Sequence, residues 1–365
     1  ATPDAATTLV EVLEWHAARH PDRTHVTLLE GDDRATAWTH ARLLAEARRA
    51  AAGLQGEGVE PGQSVAIMLP TSLEFFASFF GCLIAGAVPV PIYPPTRLAQ
   101  LGDHMRRQAG VLTSAEARLL VTVPEAKPLG TLLRGQVPTL KRVATFADLA
   151  ESGAAPAPAA RRPDDVAFLQ YTSGSTGSPK GVILTHANLL ANLRAMGRAA
   201  GVGASDVFVS WLPLYHDMGL IGAWLGSLYF ALPLVVMSPL DFLARPTRWL
   251  WALHRYRGTV SAAPNFAYEI CATRLDDRDL EGLDLSAWRW AFNGAEPVSA
   301  ETMERFAARF ARHGLDPRTL APVYGLAECA LDLAFPPARR GLVVDRVDRA
   351  RLARTGTAVP AAADD

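Results

Sequence analysis

The sequence predicts an α/β fold in which two packed subdomains carry mostly parallel sheets. Strand-like apolar runs alternate with helical patterns along the 365 residues, as they do when helices join parallel strands. Several of the strands are apolar throughout, which is typical of strands that helices cover on both faces. A Pro/Ala-rich stretch without periodicity, residues 151–165, divides this alternation as a linker. We therefore expect one subdomain at 1–150 and a second at 166–335.

The first subdomain is predicted from a short series of elements. Val65–Leu69 has the pattern of a buried strand, and Thr71–Glu74 has the pattern of a capping box that starts the next helix. That helix is expected to end near Ala85, where Gly86 can close it. The remaining predicted elements are strand Val88–Ile92, helix Leu98–Leu112 and strand Arg118–Val123.

The second subdomain repeats the alternation. Thr185 is expected to cap a helix over His186–Ala200. The uncharged run Met218–Leu240 is long enough to span a bilayer, but Pro233 divides it more naturally into a helix and a strand. The predicted strands are Val207–Trp211, Leu234–Met237, Thr259–Ala262 and Arg289–Phe292. The predicted helices are Gly219–Ala231, Pro246–Tyr256, Phe266–Leu275 and Ala300–His313. Beyond them, residues 336–365 show little core pattern and end in a stretch that we expect to fray.

The charge balance and the cysteine spacing indicate which partners and which cellular compartment to expect. Lys and Arg number 36 against 37 Asp and Glu, so no bulk field draws the chain to nucleic acid or to acidic membranes. Cys82, Cys271 and Cys329 have apolar neighbours and no disulfide or metal spacing, and we expect buried core thiols. The N-terminal residues lack the basic and apolar segments of a signal peptide. These features together predict a cytoplasmic protein.

The stretch Tyr171–Gly181 carries the strongest functional signal. It holds five Ser or Thr hydroxyls, three glycines and one lysine in eleven positions. Glycines let backbone N–H groups approach a ligand closely, and such amides with hydroxyls and one ammonium suit a polyphosphate. The stretch is not a Walker A loop, because Pro179 precedes Lys180 and Gly181 follows it. A flexible Gly/Ser linker is the alternative, but strand-like runs flank the loop on both sides.

Three further motifs follow in a fixed order: Trp211–Leu220 (WLPLYHDMGL), Asn293–Pro297 (NGAEP) and Val323–Glu328 (VYGLAE). With the glycine-rich loop, they make the chain resemble the adenylate-forming superfamily of acyl-CoA synthetases, luciferases and amino-acid adenylation domains. Pro61–Ile67 and Ala85–Val90 extend the resemblance into the first half. The stretches that look most like the fatty acyl-AMP ligases are Pro91–Pro95, Tyr215–Leu220 and Ala263–Tyr268.

The resemblance implies that a fatty acid is activated with ATP and passed to the phosphopantetheine thiol of a carrier protein. It implies Lys180 and His216 as catalytic residues, and Thr172 and Glu328 as Mg²⁺ ligands. The nucleotide-binding residues that it implies are Thr172, Ser173, Gly174, Ser175, Thr176, Gly177, Lys180, Asn293, Gly294, Ala295, Glu296, Tyr324, Gly325 and Leu326. The candidates for an apolar acyl site are Met218, Ile221, Trp224, Asn265 and Phe266.

Several of these residues also have a structural interpretation. His216 can be a hydrogen-bonded core histidine, Gly294 a turn after a strand, and Glu328 a charge at a helix N-terminus. Asp217 is expected to be the N-cap of the following helix rather than a catalyst. Aromatic and Met side chains on an apolar helix can belong to the core instead of lining a site.

Three other functions compete with the ligase interpretation. A long-chain acyl-CoA synthetase would use coenzyme A, and a binding module would have no catalysis. Amino-acid adenylation is disfavoured because the region Ala263–Phe266 lacks an aspartate to meet an α-ammonium. Nothing after Gly341 resembles the family's ribose-binding acid, hinge or small C-terminal domain, although Leu342–Gly356 resembles the start of an insertion found in the ligases. We therefore expect a large N-terminal portion that alone adenylates more slowly than its parent.

Overall fold

The computed structural model describes residues 2–32, 34–95, 101–151, 153, 155–172 and 179–362. Its strands are β1 Thr24–Glu30, β2 Arg34–Thr39, β3 Ser64–Met68, β4 Val88–Pro91, β5 Leu119–Thr122, β6 Arg142–Ala144, β7 Val166–Thr172, β8 Lys180–Thr185, β9 Phe208–Ser210, β10 Leu234–Met237, β11 Val260–Ala263, β12 Trp290–Asn293, β13 Leu320–Pro322, β14 Tyr324–Leu326 and β15 Leu331–Ala334. Its α-helices are α1 Leu9–Arg19, α2 His40–Gly56, α3 Leu73–Ile84, α4 Leu101–Ser114, α5 Lys127–Gln136, α6 Phe146–Ala150, α7 His186–Ala200, α8 Gly226–Phe230, α9 Pro239–Ala244, α10 Thr247–Arg255, α11 Asn265–Thr273, α12 Ala300–Phe310 and α13 Arg349–Thr355.

Two large sheets organise the described residues, and the prediction of mostly parallel α/β architecture is confirmed. The smaller sheet has the strand order β4-β3-β5-β6, and all its pairs are parallel. The larger has the order β13-β12-β11-β9-β10-β1-β2, and only its edge pair β1–β2 is antiparallel. Two antiparallel ribbons, β7–β8 and β14–β15, stand outside these sheets.

The large sheet is not built from the second half of the chain alone. Strand β1 pairs in parallel with β10, with Val26 opposite Leu234, and β2 then forms the sheet edge. Residues 24–39 therefore belong to the sheet that the second half of the chain forms. The predicted division at about residue 150 assigns them to the first subdomain instead. The two-subdomain division stays a prediction.

Several predicted boundaries agree with the structure because local signals are strong there. Helix α7 spans His186–Ala200, with a Thr185 capping box and with Gly201 in the left-handed region at its C-terminal end. The prediction at Thr71–Glu74 was wrong by one residue, since Ser72 is the N-cap whose Oγ accepts from the Phe75 amide. Part of the helix predicted at Leu98–Leu112 lies outside the described residues, and α4 begins at Leu101.

The segment predicted as one helix over Gly219–Ala231 has two parts. Residues Met218–Leu225 form a π-helix, and α8 continues it to Phe230. Wide helical turns of this kind are uncommon and occur often at functional sites. No helix among the described residues has both the length and the apolar content that a membrane crossing needs.

Aromatic side chains join the two halves of the chain. Trp224 of the π-helix packs edge-on against phenylalanines of α3, with ring centroids 4.6 Å from Phe76 and 5.3 Å from Phe79.

Cys82 and Cys271 are buried as predicted, and burial raises the pKa of both thiols. Cys329 is only partly buried, so the expectation of a core thiol was wrong there.

Three buried histidines form a second cluster, which we call the histidine stack. The ring of His40 lies between those of His16 and His25, at centroid distances of 5.0 and 4.9 Å. Each ring has one hydrogen bond: His16 to the Tyr229 carbonyl, His40 to the Arg23 carbonyl, and His25 from the indole N–H of Trp224. Because the stack is buried, the pKa of each of these histidines is lowered and all three rings are neutral at pH 7.

Candidate active site

A cavity of about 340 Å³ extends along the face of the large sheet, and its lining includes residues that follow the carboxyl ends of the central strands. The chain leaves β9 for β10 on one side and then returns to place β11 on the other side of β9. In open α/β sheets such a reversal of strand order opens a crevice in which ligands bind. The cavity mouth is lined by Thr172, His216, Asp217, Ala295, Gly325, Leu326 and Glu328. The structure thus brings residues from all four sequence motifs to one place.

The glycine-rich loop connects the two strands of the β7–β8 ribbon. Thr172 is the last residue of β7, and in the ribbon it pairs with Lys180, the first residue of β8. Ser173, Gly174, Ser175, Thr176 and Gly177, predicted to bind phosphate, lie outside the described residues. The ribbon therefore presents a hydroxyl and an exposed lysine side by side where the loop begins and ends.

His216 and Asp217 form a bonded pair at the start of the π-helix. His216 Nδ1 lies 2.7 Å from Asp217 Oδ1, and the same carboxylate oxygen accepts a 2.7 Å hydrogen bond from the Met218 amide. Asp217 is thus the N-cap of this helix, as predicted. The His216 side chain is about half exposed, at 52%, so it is not a core histidine. With Nδ1 bonded to Asp217, Nε2 is left to meet a ligand.

The residues predicted to frame the adenine differ in their surroundings. The Asn293 side chain is buried, and its amide donates to Asn265 Oδ1 over 3.1 Å. Gly294 follows β12, and its amide donates to the Ala263 carbonyl over 3.4 Å, so the turn interpretation also applies to it. Glu296 accepts a 2.6 Å bond from the Phe266 amide at the start of α11. Tyr324 is 63% exposed, which leaves its ring face free for stacking.

A strained turn places a third carboxyl group on the cavity wall. Ala330 and Leu331 have φ values of 57° and 101°, a region that L-residues rarely adopt. Asn192 of α7 fixes this turn, since its amide donates to the carbonyls of Cys329 and Asp332 (3.1 and 2.9 Å) and accepts from the Asp332 amide (3.3 Å). Asp332 itself lines the cavity. Strain maintained by such contacts is common at functional sites.

Asp332 has the most strongly raised acid pKa of the site. Burial, with a smaller contribution from the negative charge of Asp217, raises the pKa of this carboxyl to about 7. The folded protein therefore keeps a proton between about pH 3.8 and pH 7 that the unfolded chain has already lost. The stability that this proton confers is lost as the pH rises through that window.

We predict that Asp332→Asn makes the protein more stable than the wild type at neutral pH. The gain should be on the order of 2 kcal/mol, after a discount for partial solvent access, because the amide never ionises. Urea unfolding of both proteins at a series of pH values checks this. The gap should widen from about pH 4 to pH 7 and then level off. Equal stability throughout would show that Asp332 ionises without penalty.

Beyond its mouth, the cavity has an apolar wall that the sequence identified only in part. Met218 lines it, whereas Ile221 and Trp224 are buried outside the wall, and Trp224 packs between α3 and His25. Asn265 bonds to Asn293 and to the Ser299 amide, and Phe266 packs against Trp211; neither is among the lining residues. The apolar wall that sequence reasoning missed includes Leu193, Met196, Gly197, Phe208, Phe230 and Phe292. Glycines inside apolar helices, at 197, 222 and 226, are the signal that could have found it.

Comparison with known proteins agrees with this geometry. The chain matches the AMP-binding enzyme family over residues 13–363. A medium-chain-fatty-acid–[acyl-carrier-protein] ligase of Teredinibacter turnerae is 34% identical, over 95% of this chain and 60% of the relative. A long-chain-fatty-acid–AMP ligase of Mycobacterium bovis is 36% identical, over 97% of this chain and 61% of the relative.

Solved structures of fatty acyl-adenylate ligases are also similar to this chain. A fatty acyl-adenylate ligase from L. pneumophila, in complex with acyl adenylate and pyrophosphate, superposes with a TM-score of 0.86 at 34% identity. The superposition covers 93% of this chain and 59% of that one. The chain thus spans about 60% of the length of the curated relatives described above. The resemblance to fatty acyl-AMP ligases is confirmed, and because the family match covers nearly all of its length, the chain belongs to the family of AMP-binding enzymes.

Proposed function

We propose that this chain carries the acyl and nucleotide sites of an enzyme that activates a medium- or long-chain fatty acid with ATP. The product would be an acyl-adenylate, with release of pyrophosphate, and the acyl group would then pass to the phosphopantetheine thiol of a carrier protein. The buried thiols suit a reducing cytoplasm, and the balanced charge gives no reason to expect nucleic acid as a partner.

The observation that carries this proposal is one cavity with two chemical parts. Its mouth holds Thr172, His216 and Glu328, while its body between α7 and the π-helix is lined by Leu, Met, Phe and Val side chains. A fatty acid has the same division, with a carboxylate at one end and methylenes along the rest. Burying about ten methylenes at ~0.8 kcal/mol each gives on the order of 8 kcal/mol before the costs of binding, which favours long chains over acetate.

The mouth also suits ATP and Mg²⁺. Thr172 at the end of β7 and Glu328 after β14 would supply two oxygen ligands. Among the described residues no three metal-ligating side chains converge, and Mg²⁺ is commonly bound through only one or two protein oxygens, with phosphates and waters as the other ligands. When bound, the ion would neutralise charge on the phosphates.

The chain's own residues would position the reacting groups. The fatty-acid carboxylate attacks the α-phosphorus of ATP, so that a carbon–oxygen–phosphorus link forms while the bond to pyrophosphate breaks. His216, oriented by Asp217, would meet the carboxylate through Nε2, and Lys180 would stabilise the negative charge of the phosphates. Asn293, Gly294, Ala295, Glu296 and the segment Tyr324–Leu326 would surround the adenine.

Product analysis of the full-length protein tests the proposal. It is incubated with ATP, Mg²⁺ and saturated acids from hexanoate to octadecanoate, with coenzyme A and a pantetheinylated carrier protein both present. Mass spectrometry should detect acyl-adenylate and acyl-carrier protein without acyl-CoA. Acyl-CoA as the main product would make the protein an acyl-CoA synthetase, and no product from any acid would contradict fatty-acid activation.

We predict that Lys180→Ala lowers the rate of acyl-adenylate formation by about 100-fold or more, since one charge-stabilising donor is lost. The exposed Lys141→Ala removes an equal charge far from the cavity and is the matched control. Pyrophosphate release gives the rate, and binding of a fluorescent fatty acid should be the same in both variants. A Lys180→Ala protein as fast as the control would exclude Lys180 from the site.

A further inference from the structure

We infer that Phe230, packed against Gly197, forms the far end of the acyl cavity and sets the longest acid that fits. The inference rests on the proposed function, since it assigns the length limit of the acyl chain. Both residues line the cavity, on α8 and α7 respectively.

The course of the cavity places these residues at its far end. At the mouth it is lined by Asp217 and Ala295, which follow the carboxyl ends of their strands. Farther in, it is lined by Phe208 and Val260, the first residues of β9 and β11. The cavity therefore runs along the sheet face towards the amino ends of these parallel strands. Ala200, Val202, Phe230 and Leu232 line the same amino-end region.

The helices along the cavity show the same direction. From Met218 at the mouth, the π-helix and α8 advance twelve residues to Phe230, a span of at most about 18 Å, because a π-helix rises less per residue than an α-helix. Helix α7 runs the same way, and its last carbonyl, of Ala200, accepts from the Trp290 indole at the start of β12. Phe230 is thus about as far from the mouth as these helices reach.

Gly197 determines where the Phe230 ring can lie. A Cβ atom at position 197 would lie 1.9 Å from Phe230 Cζ, so the ring packs directly on the glycine backbone. The preceding residue anchors the backbone, because the Tyr229 hydroxyl accepts from Arg194 over 2.9 Å and its carbonyl contacts His16. A methyl group at 197 would therefore push the ring away from α7, into the cavity.

Gly226 offers an independent check on the same wall. A Cβ atom there would have the Ile221 carbonyl oxygen as its nearest neighbour, at an ordinary 3.6 Å. Since Gly226 lines the cavity between Met218 and Phe230, a larger side chain can fit on the backbone and still occupy the space of the acyl chain. Gly226→Val is therefore expected to shorten the preferred acid without a backbone clash.

The test is the chain-length profile of kcat/KM, measured by pyrophosphate release in the full-length protein over the same acid panel. Phe230→Ala should move the optimum to longer acids, and Gly197→Ala and Gly226→Val to shorter ones. Each methylene gained or lost should change kcat/KM by roughly tenfold. The double variant Gly197→Ala/Phe230→Ala should recover the long acids that Gly197→Ala loses, because the ring that was displaced is gone. Gly135→Ala, on the exposed face of α5, is the control and should keep the wild-type profile.

The outcomes separate this inference from the proposed function. Active variants that all share the wild-type chain-length profile would overturn the role of Phe230 and leave fatty-acid activation intact. A wild-type protein that activates no acid would instead contradict the proposed function. Thermal unfolding identifies any variant that fails to fold, and Phe230→Leu, a smaller change, then takes the place of Phe230→Ala.

Discussion

Acidification should unfold this protein through its histidine stack before most carboxylates are protonated. The pKa values of His16 and His40 are lowered from 6.5 to about 4, chiefly by burial, and burial also lowers the pKa of His25 well below its ordinary value. The unfolded chain therefore binds protons below pH 6.5 that the folded protein refuses until about pH 4. Stability must fall as the pH drops through this window.

The expected loss is large. At ~1.4 kcal/mol per pKa unit, His16 and His40 should each lower the free energy of unfolding by about 3 kcal/mol when the pH reaches 4. This loss is large because the total free energy of unfolding of a domain is only about 5–15 kcal/mol. Protonation of His25 at Nε2 would also break the bond that it accepts from Trp224. Urea unfolding followed by tryptophan fluorescence across the window measures the loss.

Two variants isolate the stack from other acid effects. His40→Phe keeps a ring between His16 and His25 but cannot be protonated, so its stability should fall less steeply with acid. His20→Gln removes a partly exposed histidine beside the stack, whose charge lowers the pKa of His16 and His40 less than burial does, so the slope should change much less than in His40→Phe. Equal slopes in His40→Phe and the wild type would show that other groups cause the acid sensitivity.

Loss of the Asp206 carboxylate should destabilise the large sheet by about 3–5 kcal/mol, as the breaking of a buried ion pair does. Asp206 is 6% exposed, and its two oxygens accept from Arg289 over 2.7 and 2.6 Å. The Thr259 hydroxyl and the Gly203 amide donate to the same carboxylate. Burial alone would raise the pKa of Asp206, but these hydrogen bonds outweigh it and lower that pKa.

Arg289 extends this ion pair to the end of α7. Its guanidinium also donates to the carbonyls of Ala200 and Gly201, over 3.2 and 3.0 Å. The pair thus connects the start of β12 with the residues that close the far end of the cavity. Removal of Asp206 leaves a partly buried guanidinium without its anion, which is why the penalty is large.

A double-mutant cycle measures this pair. Asp206→Ala, Arg289→Ala and the double variant are compared by urea unfolding, and the double variant should cost clearly less than the sum of the two single changes. The exposed pair Asp103–Arg106 is the matched control and should give no measurable coupling, since its side chains are 81% and 82% exposed. An additive cycle at Asp206–Arg289 would contradict a buried ion pair.

Local sequence signals predicted the elements that depend on neighbours along the chain. The bounds of α7 follow from the Thr185 cap and Gly201, and β10 is a short β-branched run between turns. No comparable local signal predicts that the β1–β2 ribbon belongs to the large sheet, because strand order depends on distant residues. The π-helix was also missed, since the predicted period was that of an α-helix.

The same division applies to the candidate site. Motifs with glycine, lysine and acidic residues identified the mouth, because few other structures need those residues at that spacing. The apolar body was predicted on one helix only. A Met or Phe that lines a cavity and one that packs in a core follow the same helical pattern, so Met218 could not be distinguished from Trp224. Whether such a side chain lines the cavity or packs in the core depends on the helix opposite it, α7 for the cavity and α3 for the core.

The pairing of β1 with β10 sets an order of events during synthesis. Val26 meets its partner Leu234 only after about 200 further residues have been made, and such distant pairings form slowly. Until then the inner edge of the β1–β2 ribbon has free backbone groups beside the apolar side chains of Val26 and Leu28. Nascent chains with such an edge are prone to self-association. The yield of folded protein from a ribosome should therefore depend on what shields this ribbon while the rest of the sheet is translated.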